Sequence, residues 1–198
     1  MKRLVLTFDD GPNPSYTPLL LDVLKQMSVQ ATFFVVAKDA FQNKVLIERM
    51  QQEEHEIALH SYEHRHAFLS SYKYTKNDFS RSMEILAGLN CNIKYYRPPW
   101  GARNLFTRKF VKQHGLHIVL WDIMTGDWKT STTPEMIADK IKDQASDGAV
   151  ICLHDGGESH GGDAGAPFHT IEALKTIIPE LREKDYEFVT VKEYFQNG

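Results

Sequence analysis

Apolar positions along this chain fall into short continuous runs, separated by longer stretches with helical spacing. Strand-like runs lie near 3–8, 30–37, 56–60, 93–97, 117–123, 149–154 and 187–191. Between them, apolar residues recur at amphipathic-helix spacing over 17–27, 41–54, 75–88, 105–114, 133–145 and 169–184. Thr17-Pro18 and Thr133-Pro134 each read as a helix start, a threonine cap followed by proline in the first turn. Strands that alternate with helices predict β-α-β units and a parallel sheet. The turn after the first strand, Asp9-Asp10-Gly11-Pro12, lacks the glycine pattern of a phosphate-binding loop. The expected fold is therefore α/β, a distorted (β/α)7-type barrel with a mainly parallel sheet. One strand fewer than eight suits a chain of 198 residues, shorter than the roughly 250 of a full barrel.

In such a fold the ligand site lies at the carboxyl ends of the strands, and the chain's ionisable residues cluster there. Asp9 and Asp10 follow the first run, and His60-Ser61-Tyr62-Glu63-His64 follows the third. Arg97-Pro98-Pro99-Trp100-Gly101 follows the fourth, Gly126-Asp127-Trp128 lies beyond the fifth, and the sixth ends in Leu153-His154-Asp155. Adjacent side chains in extended chain point apart, so Asp9 and Asp10 are expected to do different work. Two histidines four apart, joined by a carboxylate, can make a three-ligand metal site with an open position. Arg97 can hold a carboxylate in its ionised form. The two prolines after it stiffen the chain and aim the Trp100 N–H, a candidate oxyanion donor. His154 is a candidate general acid with Asp127 behind its ring. Trp121 and Trp128 are expected to form walls, and His55 and His66 to lie at the surface.

Composition changes this picture little. A hydrophobic fraction of 42% and a charged fraction of 25% are ordinary for a globular domain. The net charge of −3 gives no basic surface for nucleic acid. No apolar run approaches the roughly 20 residues of a membrane span. No apolar leader precedes the first strand, so the chain as written is expected to be cytoplasmic unless trimmed from an exported protein. Two cysteines, Cys91 and Cys152, make no disulfide framework, and Cys152 reads as a small buried hydrophobe. The segment 155–166 is rich in glycine, and either a groove-shaping loop or a tolerated insertion fits it.

In this order the residues resemble the motifs of the polysaccharide deacetylase family, the NodB-homology domain or carbohydrate esterase family four. Thr7-Phe8-Asp9-Asp10-Gly11-Pro12 matches its first motif and His60-Ser61-x-x-His64 its second. Arg97-Pro98-Pro99-Trp100-Gly101 matches the third, Asp127-Trp128 the end of the fourth, and Leu153-His154-Asp155 the fifth. Trp100 stands where the family commonly has Tyr or Phe, and Met124 where the fourth motif usually carries an aspartate.

The resemblance spans nearly the whole chain and implies one catalytic domain over 1–198 with a distorted barrel. It implies a divalent metal, usually zinc, with cobalt or nickel as other choices, bound by Asp10, His60 and His64. It implies Asp9 as base held by Arg97, and His154 as acid supported by Asp127. Trp100, Trp128 and Leu153 then surround the substrate and oxyanion. The implied reaction is removal of acetyl groups from an N-acetylated glycan or oligosaccharide. Acetyl-ester hydrolysis on the same apparatus and a non-catalytic carbohydrate-binding homologue are the alternatives.

Overall fold

The computed structural model describes residues 1–196. Eight strands occur in chain order: β1 (Lys2–Asp9), β2 (Thr32–Val36), β3 (Glu56–Ser61), β4 (Tyr95–Tyr96), β5 (His117–Ile118), β6 (Ile123–Met124), β7 (Ala149–His154) and β8 (Tyr186–Val189). The helices are α1 (Thr17–Gln26), α2 (Ala37–Gln42), α3 (Lys44–Gln52), α4 (Tyr72–Gly88), α5 (Leu105–Gln113), α6 (Pro134–Gln144), α7 (Ala166–Glu183) and α8 (Val191–Gln196). The strands pair in the order β5-β4-β3-β2-β1-β7-β6, every pairing parallel. β8 adds to β1 along Lys2–Val5, below the stretch Thr7–Asp9 where β1 meets β2.

The expected α/β parallel architecture holds, with one difference in strand count. The run 117–123 is two short strands, β5 and β6, at opposite ends of the sheet order. Five chain steps from Ile118 to Ile123 span at most roughly 17 Å, so the sheet must curl until its edges come close. Val119 and Leu120 cross this seam, and their carbonyls accept bonds from the Arg97 guanidinium (3.2 and 3.0 Å) in place of a ladder partner.

Two helix readings also change. The segment 41–54 is broken at Asn43 (φ −119°, ψ 47°), whose side-chain amide donates to the carbonyls of Asp39 and Pro12. Thr17 lies inside α1 after the cap residue Tyr16, and its hydroxyl goes instead to Asp155 (2.6 Å). Thr133 does cap α6, accepting the Met136 N–H.

Strand alternation divides the interior from the helix layer. Leu4, Leu6 and Phe8 of β1 pack outward in the large core shared with the helices, as does Leu153 of β7. The other face of the strands lines the barrel. Its lower layer is Val5, Phe34, Ala58, Tyr95 and Val119, closed underneath by Val191 at the start of α8. Above that apolar layer the same alternation brings up Thr7 and Asp9 from β1 and Cys152 and His154 from β7, with Asp9 in register with His154.

Arg97 sits between these layers with no solvent exposure. It bonds Asp9 Oδ1 (2.7 Å), Thr7 Oγ1 (2.8 Å) and the two seam carbonyls. Removing one partner of a buried, hydrogen-bonded charge pair leaves the other unpaired, which costs about 3–5 kcal/mol. Arg97→Leu should therefore lower stability by that amount, read as a fall in the urea midpoint of unfolding.

Candidate active site

Asp9 and Asp10 part company through backbone conformation. Asp9 ends β1 in extended chain, whereas Asp10 takes φ +74°, in the left-handed region that Asp tolerates better than most residues. The next turn is held by two close approaches. A Cβ on Gly11 would lie 2.2 Å from Asp155 Oδ2, and one on Gly156 would lie 2.7 Å from the Asp10 carbonyl oxygen. The start of the glycine-rich loop thus packs directly on the aspartate turn, where no side chain fits. Asp155 is fully buried beneath it, and burial pushes its carboxyl up to about 7 although Thr17 donates to it.

Asp10 Oδ1 faces His60 Nε2 at 3.3 Å and His64 Nε2 at 3.1 Å. The two histidines meet because the loop between them is tight, with His64 at φ +55° and its N–H donated to Ser61 Oγ (2.8 Å). His60 Nδ1 lies 2.7 Å from the Arg97 carbonyl, which can only accept. That bond puts the proton on Nδ1 and leaves the Nε2 lone pair turned toward a carboxylate oxygen. Burial lowers His64 to about 3, so its ring is neutral. Burial alone would raise Asp10. Contact with His60 and the charge of His154 outweigh it and hold the carboxyl well below the usual range. Two imidazole lone pairs and an anionic oxygen otherwise without a hydrogen-bond donor converge within 4.8 Å. Acceptors in that arrangement could hold a cation between them, and the donor set suits zinc or a neighbouring transition metal.

Asp9 turns the other way. Arg97 holds Oδ1, and Oδ2 receives the Cys152 thiol (3.5 Å). Cys152 is fully buried as expected, but its sulfur serves this carboxylate as well as the packing. Across the mouth, His154 Nδ1 lies 2.9 Å from Asp127 Oδ1, and Asp127 Oδ2 accepts the His154 N–H and the Thr170 hydroxyl (both 2.8 Å). Burial disfavours a charged His154. The Asp127 charge and hydrogen bond prevail, with Asp10 and Asp9 adding to them, and the ring is pushed up to about 9.

These groups open into a cavity of about 380 Å³, walled by Trp100, Trp121, Met124, Trp128 and His160. Trp128 sets its ring edge-on to His154 (5.3 Å). Leu153, expected near the substrate, does not reach this cavity. It lies on the other face of β7 from His154, wholly in the helix-side core. His55, expected at the surface, is buried, accepts the Ala31 N–H at Nδ1 and is lowered by burial to about 4. His66 is half-buried beside Trp100. A larger groove of about 630 Å³ at the opposite end of the barrel, near His55 and Cys91, lacks a comparable cluster among the described residues.

The glycine-rich segment forms a wall of the site. Its Asp163 receives the Thr130 N–H and donates its own N–H to the Trp128 carbonyl, while Gly162 N–H closes on the Gly157 carbonyl. Glu158 pairs with the Tyr16 hydroxyl. His160, 4.9 Å from the His64 ring, is held by Asp39 of α2 at 3.1 Å. Sequence reading missed His160 and Asp39, because neither follows a strand at a recognisable spacing.

The polysaccharide deacetylase family model matches residues 1–119. The chain belongs to this family. A peptidoglycan-N-acetylglucosamine deacetylase of Bacillus cereus is 34% identical over 97% of this chain and 87% of its own length. A peptidoglycan-N-acetylglucosamine deacetylase of Listeria monocytogenes is 33% identical over 98% of the chain, which spans 39% of that longer protein. Among solved structures, a family 4 acetyl xylan esterase from Clostridium thermocellum in complex with a cobalt ion superposes with a TM-score of 0.87. It is 33% identical, with 98% of this chain and 91% of that one covered. Membership makes this polysaccharide deacetylase homologue a hydrolase of the deacetylase type, on the curled parallel sheet its relatives share.

The protein should retain one equivalent of zinc or cobalt through gel filtration, measured by plasma mass spectrometry. His64→Ala, leaving two of the three donors, should lose that metal at the same protein concentration.

Proposed function

We propose that this protein hydrolyses acetyl groups from N-acetylated sugars of a glycan or oligosaccharide, of the chitin-oligomer or peptidoglycan type. The observation that carries this reading is the division between the adjacent carboxylates. One is turned to two imidazoles and the other is clamped by a buried arginine beside them. Similarity to peptidoglycan-N-acetylglucosamine deacetylases over nearly the whole chain supports the substrate class.

Asp10, His60 and His64 would hold the divalent metal, zinc or alternatively cobalt or nickel. When bound, that cation supplies Lewis-acid polarisation of the acetyl carbonyl and acidification of a water. Asp9 accepts the proton of the attacking water, and Arg97 keeps its carboxylate oriented. The Trp100 N–H donates to the developing oxyanion. His154 is the group across the pocket that carries a proton at neutral pH, and it delivers that proton to the departing nitrogen. Asp127 holds the ring so that Nε2 is the donating atom.

Acetyl-ester hydrolysis is the second reading, favoured by the likeness to the acetyl xylan esterase. The two differ in what the acid must do. An amine leaves poorly unless protonated, whereas an alkoxide needs less help. His154→Ala should reduce turnover of N-acetylglucosamine oligomers far more than that of acetylated xylan. An acetate-release screen over chitin oligomers, peptidoglycan and acetylxylan, with and without chelator, tests the whole reading. No release from any of them with zinc, cobalt or nickel added would leave the non-catalytic carbohydrate-binding alternative.

Asp9→Asn should lower kcat by about 10²–10⁴-fold, the usual range for a general base, while metal content stays at one equivalent. Full activity in that variant would remove Asp9 from the role. The acid His154 is raised to about 9, so it is protonated at pH 7 and loses its proton as pH rises through that value. Activity should fall along an alkaline limb, and Asp127→Asn, which removes the charge that raises the ring, should move that limb to lower pH.

A further inference from the structure

Large apolar side chains stand in solvent beside the pocket mouth. Leu105 is 78% exposed, Phe68 72% and Leu69 71%. They form one patch, because Asn104, which caps α5, donates its side-chain amide to the Ala67 carbonyl (2.6 Å). That bond ties the turn Ala67–Leu69 to the start of α5. Tyr72, at the start of α4, extends the patch by packing edge-on to Phe106 (5.6 Å). Contiguous exposed apolar side chains mark a contact surface.

The patch is ringed by cations. Thr107, Phe110 and Val111 are the buried face of α5, so Leu105, Arg108, Lys109 and Lys112 point outward at helical spacing. Arg103 precedes the cap, Arg65 donates to the Leu69 carbonyl (2.9 Å), and Lys76 lies one turn beyond Tyr72. None of these six cations pairs with a carboxylate among the described residues, whereas Lys25, Arg49, Lys142 and Lys175 all do. Where Arg65 and Lys109 bond, the acceptor is neutral, a carbonyl for one and the Tyr72 hydroxyl for the other. The stretches 64–77 and 85–121 contain no Asp or Glu. At their edges, Glu63 accepts from the Tyr74 hydroxyl and Asp78 is buried. A chain of net charge −3 thus presents one strongly basic face.

We infer that the face made by Phe68, Leu69 and Leu105 with its ring of cations docks on an anionic phospholipid surface. The lysines and arginines meet headgroup phosphates, and the apolar side chains enter the boundary between headgroups and acyl chains. A soluble anionic polymer would answer the charges. It would leave in water Leu69 and Leu105, which offer no flat ring to a sugar. A second copy of the chain would bring the same cations against these. The pocket mouth lies beside the contact. Trp100 of its wall lies 5.3 Å from the His66 ring, and His66 lies 5.2 Å from Phe68. Docking sets that mouth at the lipid surface and does not depend on the reaction the pocket performs.

Sedimentation with vesicles of mixed phosphatidylglycerol and phosphatidylcholine, and of phosphatidylcholine alone, tests the contact. The protein should partition onto the mixed vesicles, roughly tenfold less onto the neutral ones, and be released by added salt. Arg108→Gln/Lys112→Gln should lower the partition coefficient about tenfold, and Leu105→Ser by a similar factor. Lys140→Gln/Lys184→Gln, the same loss of charge elsewhere on the molecule, should leave it unchanged. All five positions are exposed, and unchanged melting temperatures should show that the variants are folded. No binding to the mixed vesicles at low salt overturns the contact, as does binding indifferent to both the cation and the Leu105 substitutions. Without vesicle binding, retention on soluble polyphosphate that falls with the cations but not with Leu105 would assign the face to a polyanion instead. Self-association lost in Leu105→Ser, again without vesicle binding, would assign it to a second copy.

Discussion

The guanidinium of Arg97 is shut off from water at the centre of the barrel, where a lone charge could not remain. It is tolerable because all three of its nitrogens find acceptors inside the barrel. The Asp9 carboxylate offsets its charge, the Thr7 hydroxyl takes a second proton of the same nitrogen, and the Val119 and Leu120 carbonyls take one each from Nε and the other terminal nitrogen. The face of Phe34 lies 4.0 Å beneath it. These contacts tie β1, β4 and the seam between β5 and β6 to one planar group. The curled sheet and the orientation of Asp9 are thus held by the same buried group.

That clamp also explains how neighbouring carboxylates can differ in chemistry. Asp9, locked to Arg97, is kept close to the pocket floor. Asp10, released into a left-handed turn, swings to His60 and His64. The Arg97 backbone carbonyl adds a further link by fixing the tautomer of His60. One residue thus steers the anion on one side of the site and the lone pair on the other. With Met124 in the cavity wall, the guanidinium has Asp9 as its single carboxylate partner among the described residues.

Opposite this, Asp127 does for His154 what Arg97 does for Asp9. It is wholly buried, uses both oxygens and leaves the imidazole no freedom to turn. The glycine-rich loop closes the remaining side through backbone contacts, with Gly156 against Asp10 and Asp163 against the turn after Trp128. Rigid placement of this kind is what proton transfer between fixed groups requires.

Much was legible before any coordinates, and the physical reason is specific. Short continuous apolar runs alternating with helical spacing predict a parallel sheet, and a parallel sheet gathers strand ends on one side. Asp9, Asp10, His60, His64, Arg97 and His154 were therefore readable as one cluster from positions in the chain, as was Asp127 from its place after a strand. The sequence could not tell that 117–123 spans an open seam, since its apolar residues look like any buried strand. It placed Leu153 with His154, although alternation along β7 sends them to opposite faces. His55, His160 and Asp39 were misjudged or missed because burial and loop-to-helix contacts have no linear spacing. What the chain decided by itself was which chemistry could assemble at the strand ends, because local pattern sets the elements and the elements set the ends. What only the tertiary structure decided was how each group is aimed, because aim depends on a left-handed turn, a glycine-backed approach and a buried arginine, each made by residues far apart in sequence.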